Sequence, residues 1–330
     1  MTSKKIKTAV IGIGSMGRNH ARVYSEISDL VAVCDRDEDR VKEVADRFGC
    51  KPFTDIERMI EDTTIEAVSV ATPTVNHLEG VRMCMESGLN VIVEKPIASN
   101  VEDGKKMIDI SVKNDVVFSV GMIERHNPIV KFTKEVLDKG NIGQIVNLSS
   151  RRVSNFPARI KDVGVITDLG VHDIDVLRYL SGGEVKSVFA LGGKVKHDKF
   201  EDHATIMLKF ENGMEGVCEL SWLTPMKTRK ISITGLDGVA EMDYVDQEIR
   251  ISKSSFGKID MNNLWRIPQN YDVRTMRIRN EEPLKRELED FLNSVDKKTP
   301  PLVSGEDGLK TLQIAKAAEE SISTGEKVDL

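Results

Sequence analysis

Three groups of residues in this chain combine reactive side chains with informative spacing. The first is the stretch TDLGVHDIDVLRYL, residues 167–180. At about 100° per residue a helix here puts Asp168, His172, Asp175 and Tyr179 on one face, with apolar residues over most of the rest. A polar stripe on such a buried helix must be satisfied internally or line a cavity. Asp168 and His172 are i,i+4 neighbours whose side chains can meet. A carboxylate raises the basicity of an imidazole and orients it, as a general base taking an alcohol proton requires. A lone histidine in this setting would read as a satisfied core residue; the other two groups favour catalysis. The second group, Glu94-Lys95-Pro96, directly follows an apolar run. Proline confines the backbone of Lys95 to extended conformations, and a cis Lys95–Pro96 bond would fix it further. The ammonium could hydrogen-bond a substrate oxygen and stabilise developing negative charge. Glu94 could hold a ribose, and a solvated turn is the plainer alternative.

The third group names a ligand. Gly12, Gly14 and Gly17 in KTAVIGIGSMG have the G-x-G-x-x-G spacing. Gly12 permits a tight turn, Gly14 leaves room for a pyrophosphate, and Gly17 lets the helix pack close to the strand. Ser15 and Met16 complete the loop, where free N–H groups at the helix start face the phosphates. A second apolar strand, residues 30–34, ends in Asp35, eighteen residues past Gly17. That is near the roughly 20-residue spacing of the carboxylate that binds an adenosine ribose. The pattern implies a dinucleotide, NAD in preference to NADP, although Arg36 could accept a 2′-phosphate.

Other candidates leave the ends of expected strands, where ligands bind in doubly wound sheets. Thr72 and Pro73 read equally as a ribose-facing loop and as a strand-to-helix cap, with His77 in the next helical turn. Arg125 and Asn127 in Glu124-Arg125-His126-Asn127-Pro128 could contact substrate or simply cap a helix. Arg151, Arg152 and Arg159 could meet a nucleotide diphosphate, although arginine on an exposed edge is the commoner case. His77 and His126 are weaker candidates for acid–base chemistry than His172. No residue set suggests a bound metal.

The elements that must position these residues divide the chain. Residues 1–122 alternate Val/Ile-rich strands (9–13, 30–35, 67–71, 90–93, 116–120) with amphipathic helices (16–27, 38–48, 55–60, 75–87, 101–112). This is the signature of a doubly wound parallel sheet, an N-terminal Rossmann domain. Asp55 and Asn100 read as N-caps, and Gly49 and Gly88 as helix-ending glycines. Residues 123–330 form an α+β domain. Helices are expected at 128–139, 167–180, 284–295 and 307–324. A strand is expected at 145–153, and period-2 stretches at 187–195, 204–210, 215–221, 230–234 and 239–243 predict a large, mostly antiparallel sheet. Residues 252–271 read as an irregular polar loop.

Composition narrows the classes. The chain has 330 residues, with 47 basic and 53 acidic side chains well mixed, for a formal charge of -6. No basic patch points to nucleic acid, and no apolar run approaches the roughly 18 residues that span a bilayer. Cys34, Cys50, Cys84 and Cys218 show no metal or disulfide spacing, so reduced cysteines in a cytoplasmic protein are expected. The start, MTSKKIKTAV, has no signal-peptide pattern.

Taken together, the chain resembles the glucose–fructose oxidoreductase / inositol dehydrogenase (Gfo/Idh/MocA) family. The resemblance rests on Gly12-Ile13-Gly14-Ser15-Met16-Gly17, Asp35, Thr72-Pro73 with His77, Glu94-Lys95-Pro96 and Asp168-Leu169-Gly170-Val171-His172-Asp173. It spans nearly the whole length, including residues 307–328. It implies NAD-dependent oxidation of a sugar or polyol hydroxyl, with Lys95, Asp168 and His172 at the family's catalytic positions. It implies Gly12, Gly14, Ser15, Met16, Gly17, Asp35, Arg36, Thr72, Pro73, His77, Glu94 and Lys95 as cofactor residues. Arg125, Asn127, Arg152, Asp168 and His172 are implied substrate residues. A homodimer or homotetramer formed through the C-terminal sheet is also implied. Within the family, residues 124–128 and 168–180 look most like UDP-N-acetylglucosamine and UDP-N-acetylglucosaminuronate 3-dehydrogenases. Their usual Glu-Arg-Phe-Asn-Pro has His126 in place of phenylalanine here. A myo-inositol or other polyol dehydrogenase and a non-catalytic NAD-binding regulator are the alternatives.

Overall fold

A computed structural model describes residues 5–157, 160, 163–256 and 269–330. Two compact units emerge: residues 1–126 with 282–313, and residues 127–281 with 314–330. The sequence reading divides the chain once, at 122; the structure returns residues 282–313 to the first unit.

In the first unit, strands and helices alternate as β1 (Lys7–Ile11), α1 (Ser15–Ile27), β2 (Asp29–Cys34), α2 (Glu38–Phe48), β3 (Lys51–Phe53), α3 (Ile56–Glu61), β4 (Ala67–Val70), α4 (His77–Glu86), β5 (Asn90–Glu94), α5 (Val101–Lys113) and β6 (Phe118–Gly121). The strands form one parallel sheet in the order β3-β2-β1-β4-β5-β6. This is the doubly wound order, which places a ligand crevice beyond the carboxyl ends of the strands. β1, β4 and β5 are nearly continuous Val, Ile and Ala because both sheet faces are covered. Asp55 and Asn100 cap α3 and α5 by accepting from the backbone N–H of Arg58 and Asp103. Gly49 and Gly88 adopt positive φ at helix ends, as expected.

The second unit begins with α6 (Pro128–Asp138), β7 (Ile145–Val153), a π turn (Ile166–Gly170) and α7 (Val171–Ser181). Then come β8 (Val185–Gly193), β9 (His203–Phe210), β10 (Glu215–Ser221), β11 (Thr228–Gly235), β12 (Val239–Asp243), β13 (Glu248–Phe256) and β14 (Gln269–Arg277). α8 (Pro283–Lys297) belongs to the first unit; α9 (Gly305–Thr324) starts there and ends in the second, followed by β15 (Val328–Asp329). The sheet order is β14-β13-β12-β11-β7-β10-β9-β8-β15, antiparallel apart from the parallel pair β7–β10. In β9, Ala204, Ile206, Leu208 and Phe210 face the core while Thr205, Met207 and Lys209 face water. One face is thus packed and the other open.

The loop expected over 252–271 is corrected at both ends. β13 and β14 pair as antiparallel strands, with Ser252 opposite Val273 and Ser254 opposite Tyr271. Ile249 and Ile251 are buried on one face of β13, but from Ser252 the sequence runs Ser-Lys-Ser, so no period-2 contrast marks the outer part of the ribbon. Among the described residues no helix is long and apolar enough to cross a membrane.

Candidate active site

The glycine loop is set by sterics. Gly12 has φ +86°, and a Cβ there would fall 2.6 Å from the Thr72 nitrogen. A Cβ on Gly17 would fall 1.8 Å from the Gly12 carbonyl oxygen, so α1 packs directly on the loop. A Cβ on Gly14 would meet nothing within 4 Å. Its open side borders a groove of about 480 Å³, also lined by Gly12, Asp35, Arg36, Arg40, Thr72, Pro73, Asn76 and Met83. No side chain caps the start of α1, where Ser15 is exposed and Met16 half-buried. Its first N–H groups are therefore left for an anion. The Thr72 hydroxyl, on the same groove, is buried and has no hydrogen-bond partner among the described residues. An empty Cβ position, an uncapped helix start and an unpartnered hydroxyl fit a dinucleotide.

Asp35 closes the groove at the end of β2. Its Oδ2 accepts from the Ile13 N–H at 2.6 Å and its Oδ1 from the Asp37 N–H at 3.0 Å. Arg40 Nη1 lies 3.5 Å from Oδ2. The carboxylate is held in one orientation with acceptor capacity left over. His77 departs from the expected cofactor contact: it is 1% exposed, with its ring turned under the loops. Nε2 lies 2.9 Å from the Thr72 carbonyl oxygen, and Nδ1 3.1 Å from that of Pro96. Burial pushes its pKa down. His77 ties the loop after β4 to the loop after β5.

At the end of β5, the Lys95–Pro96 bond is cis and Lys95 is half-buried. Glu94 Oε1 lies 2.9 Å from His20 Nε2, and Oε2 accepts from the Lys95 N–H at 3.2 Å. Burial raises the Glu94 pKa, but the His20 hydrogen bond and the charges of His20 and Lys95 prevail and hold it below the ordinary range. His20 escaped the sequence reading. The signal was there: it follows Gly17 by one helical turn, on the inward face of α1 with Ala21 and Tyr24.

Three expected substrate residues are engaged inside their own units. Arg125 is 5% exposed; Nη1 donates to the Leu302 carbonyl oxygen at 3.2 Å and Nη2 to Asp307 Oδ1 at 3.0 Å. Asn127 caps α6 and receives a hydrogen bond from Gln247 Nε2 at 3.0 Å. Arg152 corrects the expectation of a substrate-facing cation. It shares the inward phase of β7 with Leu148 and Ser150, is 2% exposed, and donates from Nε to Asp173 Oδ1 at 2.7 Å. Arg151 has the outward phase and pairs with Glu219 at 3.1 Å. Arg159 lies outside the described residues.

Asp168 and His172, both half-buried, lie on either side of a change in helix type. Asp168 is in the π turn and His172 in the first turn of α7, so the continuous α-helix expected from 167 is replaced at its start by a wider turn. Such turns recur at functional sites. Two carboxylates brace this one: Thr167 Oγ1 donates to Glu319 Oε1 at 2.7 Å, and the Ile166 N–H to Glu201 Oε1 at 3.1 Å. Gly170 admits Leu220, whose Cδ1 would lie 2.7 Å from a Cβ there. Asp175, expected on the polar stripe, is fully buried, and Tyr179 is half-buried.

Comparison with known proteins follows the division of the chain. Residues 6–122 match the model of an oxidoreductase family with an NAD-binding Rossmann fold. Residues 130–241 match the GFO/IDH/MocA C-terminal domain. UDP-N-acetylglucosamine 3-dehydrogenase of Acidithiobacillus ferrooxidans is 29% identical over 310 residues, 94% of this chain and 95% of that protein. Myo-inositol 2-dehydrogenase of Thermotoga maritima is 30% identical over 338 residues, 98% of each chain. A solved structure of the A. ferrooxidans enzyme superposes with a TM-score of 0.87, at 28% identity, covering 97% of this chain and 98% of that one.

Proposed function

We propose, on the premise that this chain belongs to the Gfo/Idh/MocA oxidoreductase family and carries its NAD-binding Rossmann fold, that it oxidises C3 of UDP-N-acetylglucosamine or a closely related UDP-sugar. The observation that carries the substrate is full-length likeness, in both sequence and structure, to the A. ferrooxidans 3-dehydrogenase. Bound NAD supplies the hydride acceptor. Gly12, Gly14, Ser15, Met16, Gly17 and Thr72 would hold its diphosphate and ribose side, with Asp35 on the adenosine ribose. The carboxylate of Asp35 disfavours a 2′-phosphate, and Glu94 would face the second ribose.

In this reading His172 takes the hydroxyl proton of the substrate. Asp168 orients the imidazole and favours its charged form. Lys95 donates a hydrogen bond to the same oxygen, which gathers negative charge as the proton leaves. Removing the proton and steadying the oxygen are the two tasks the protein must perform for hydride to depart.

A second reading, a myo-inositol or other polyol dehydrogenase, is supported by the equally full-length likeness to the T. maritima enzyme. Incubation with NAD and a panel of UDP-N-acetylglucosamine, its uronate and myo-inositol separates the two. A UDP-sugar product two hydrogens lighter, absent in Lys95→Ala and His172→Ala, is expected. Turnover of myo-inositol alone would move the protein to the polyol branch. NAD binding with no turnover would favour a regulator. A homo-oligomer formed through the open sheet face is part of the proposal. That face exposes Met207, and light scattering in solution tests it.

A further inference from the structure

A buried imidazole in the first unit takes no part in the chemistry above. His20 is 1% exposed and engages both ring nitrogens. Nε2 lies 2.9 Å from Glu94 Oε1. Nδ1 lies 2.9 Å from Ser69 Oγ, which is 2.8 Å from Tyr24 Oη. Each of these groups comes from a different kind of position: His20 and Tyr24 from the inward face of α1, Ser69 from the middle of β4, Glu94 from the last residue of β5.

The chemistry of the groups gives the array a direction. An ionised carboxylate only accepts hydrogen bonds, so His20 Nε2 carries the proton that faces Glu94. The Ser69 hydroxyl donates to Tyr24 Oη, which leaves its oxygen to accept from His20 Nδ1. Donation runs from His20 to Glu94 on one side and from His20 through Ser69 to Tyr24 on the other, and the other Glu94 oxygen accepts the Lys95 N–H at 3.2 Å. With the His20 donor removed, a carboxylate 12% exposed would have to turn toward water or take up a proton. The first outcome withdraws a restraint from the Lys95 backbone, and the second removes the negative charge beside Lys95.

We propose that His20 is a positioning residue: by fixing Glu94 in one orientation it holds Lys95 where the reaction needs it. The proposal rests on Lys95 acting on the substrate oxygen. Misplacing a catalytic group by about 1 Å can cost about a hundredfold in rate, so a restraint of this kind is visible in kcat.

Two substitutions separate positioning from simple space-filling. The amide of asparagine replaces Nδ1 and keeps Ser69 but loses the donor to Glu94. The amide of glutamine puts an N–H where Nε2 was. With NAD and UDP-N-acetylglucosamine, or myo-inositol if only that turns over, His20→Asn is expected to lower kcat by about 10- to 100-fold. The dissociation constant for NAD should change by less than about threefold, and His20→Gln should recover kcat to within about threefold of the parent. If His20→Asn does not fold, His20→Leu makes the same cut while filling the space. Equal loss in the asparagine and glutamine variants, loss confined to NAD affinity, or unchanged kcat in His20→Asn or its leucine substitute would each overturn the proposal. Lys95→Ala tells the two levels apart. An active Lys95→Ala removes the reading of Lys95 and this inference with it; an inactive one beside an unimpaired His20→Asn overturns the positioning role alone.

Discussion

His126 offers a sharp test of the energetics, because a buried imidazole makes stability depend on pH in a calculable way. It ends the short turn Ile123–His126 and is 6% exposed. Burial first, then the neighbouring charges of Arg125 and Arg286, lowers its pKa to about 3. In the unfolded chain the ring titrates at its ordinary value of 6.5. Below that value the unfolded state takes up a proton that the folded state refuses. The stabilisation is therefore complete above about pH 6.5 and is lost progressively as pH falls toward 3. Between about pH 7.5 and pH 5 the loss from this one group comes to about 2 kcal/mol. His126→Phe deletes the titration while keeping an aromatic ring in the buried site. The variant should lose about 2 kcal/mol less than the parent over the same range. His77, also pushed down by burial, remains in both proteins and cancels in the comparison. Urea unfolding at the two pH values, followed by hydrogen exchange of peptides from the first unit, measures the difference without averaging over the second. Equal losses in parent and variant would refute the reasoning.

Other substitutions probe the packing that carries the site. Gly17→Ala places a methyl against the Gly12 carbonyl oxygen and should weaken NAD binding at least tenfold by calorimetry; unchanged affinity would contradict the close approach. Asp173→Ala strands the Arg152 guanidinium in the core of the second unit. It should destabilise that unit by about 3–5 kcal/mol, read by the urea midpoint of Trp222 fluorescence, whereas a loss below about 1 kcal/mol would contradict a buried pair. Asp202 Oδ2 accepts from the N–H groups of Val195, Lys196 and His197. Although burial opposes ionisation, these bonds and His203 lower its pKa from 3.8 to about 2. Its contribution, about 2 kcal/mol, is present above pH 4 and lost as pH falls through 2, so Asp202→Asn should flatten acid unfolding in that window.

The parts of the molecule legible in the sequence are those where one residue type has one physical use. Gly12 and Gly17 could be read because their spacing is itself the steric solution, and Asp35 because a strand's length fixes where its end falls. β7 was legible as a strand, but not that Arg152 shares the inward phase set by Leu148. Nothing in the strand's own sequence tells that a carboxylate, Asp173, waits on a helix twenty-one residues away to accept a buried cation. Arg125 is the same case, since its partner Asp307 lies far along the chain. The outer part of β13 escaped because its polar run from Ser252 has no hydrophobic period, although the buried Ile249 and Ile251 before it were a signal. The π turn at Ile166–Gly170 escaped because its cause is tertiary: Glu201 and Glu319 hold it from outside the segment. His20 could have been found by extending the glycine motif one helical turn along the inward face of α1.

The central claim is hydride transfer from C3 of a UDP-sugar to NAD. UDP-N-acetylglucosamine carrying deuterium at C3 tests it most directly, with the reduced cofactor and the sugar product weighed separately after one turnover. The account predicts reduced NAD heavier by one deuterium and a keto sugar without the label. Unlabelled reduced NAD with deuterium kept on the sugar would contradict oxidation at C3, and no reduced NAD from this substrate would contradict the substrate itself.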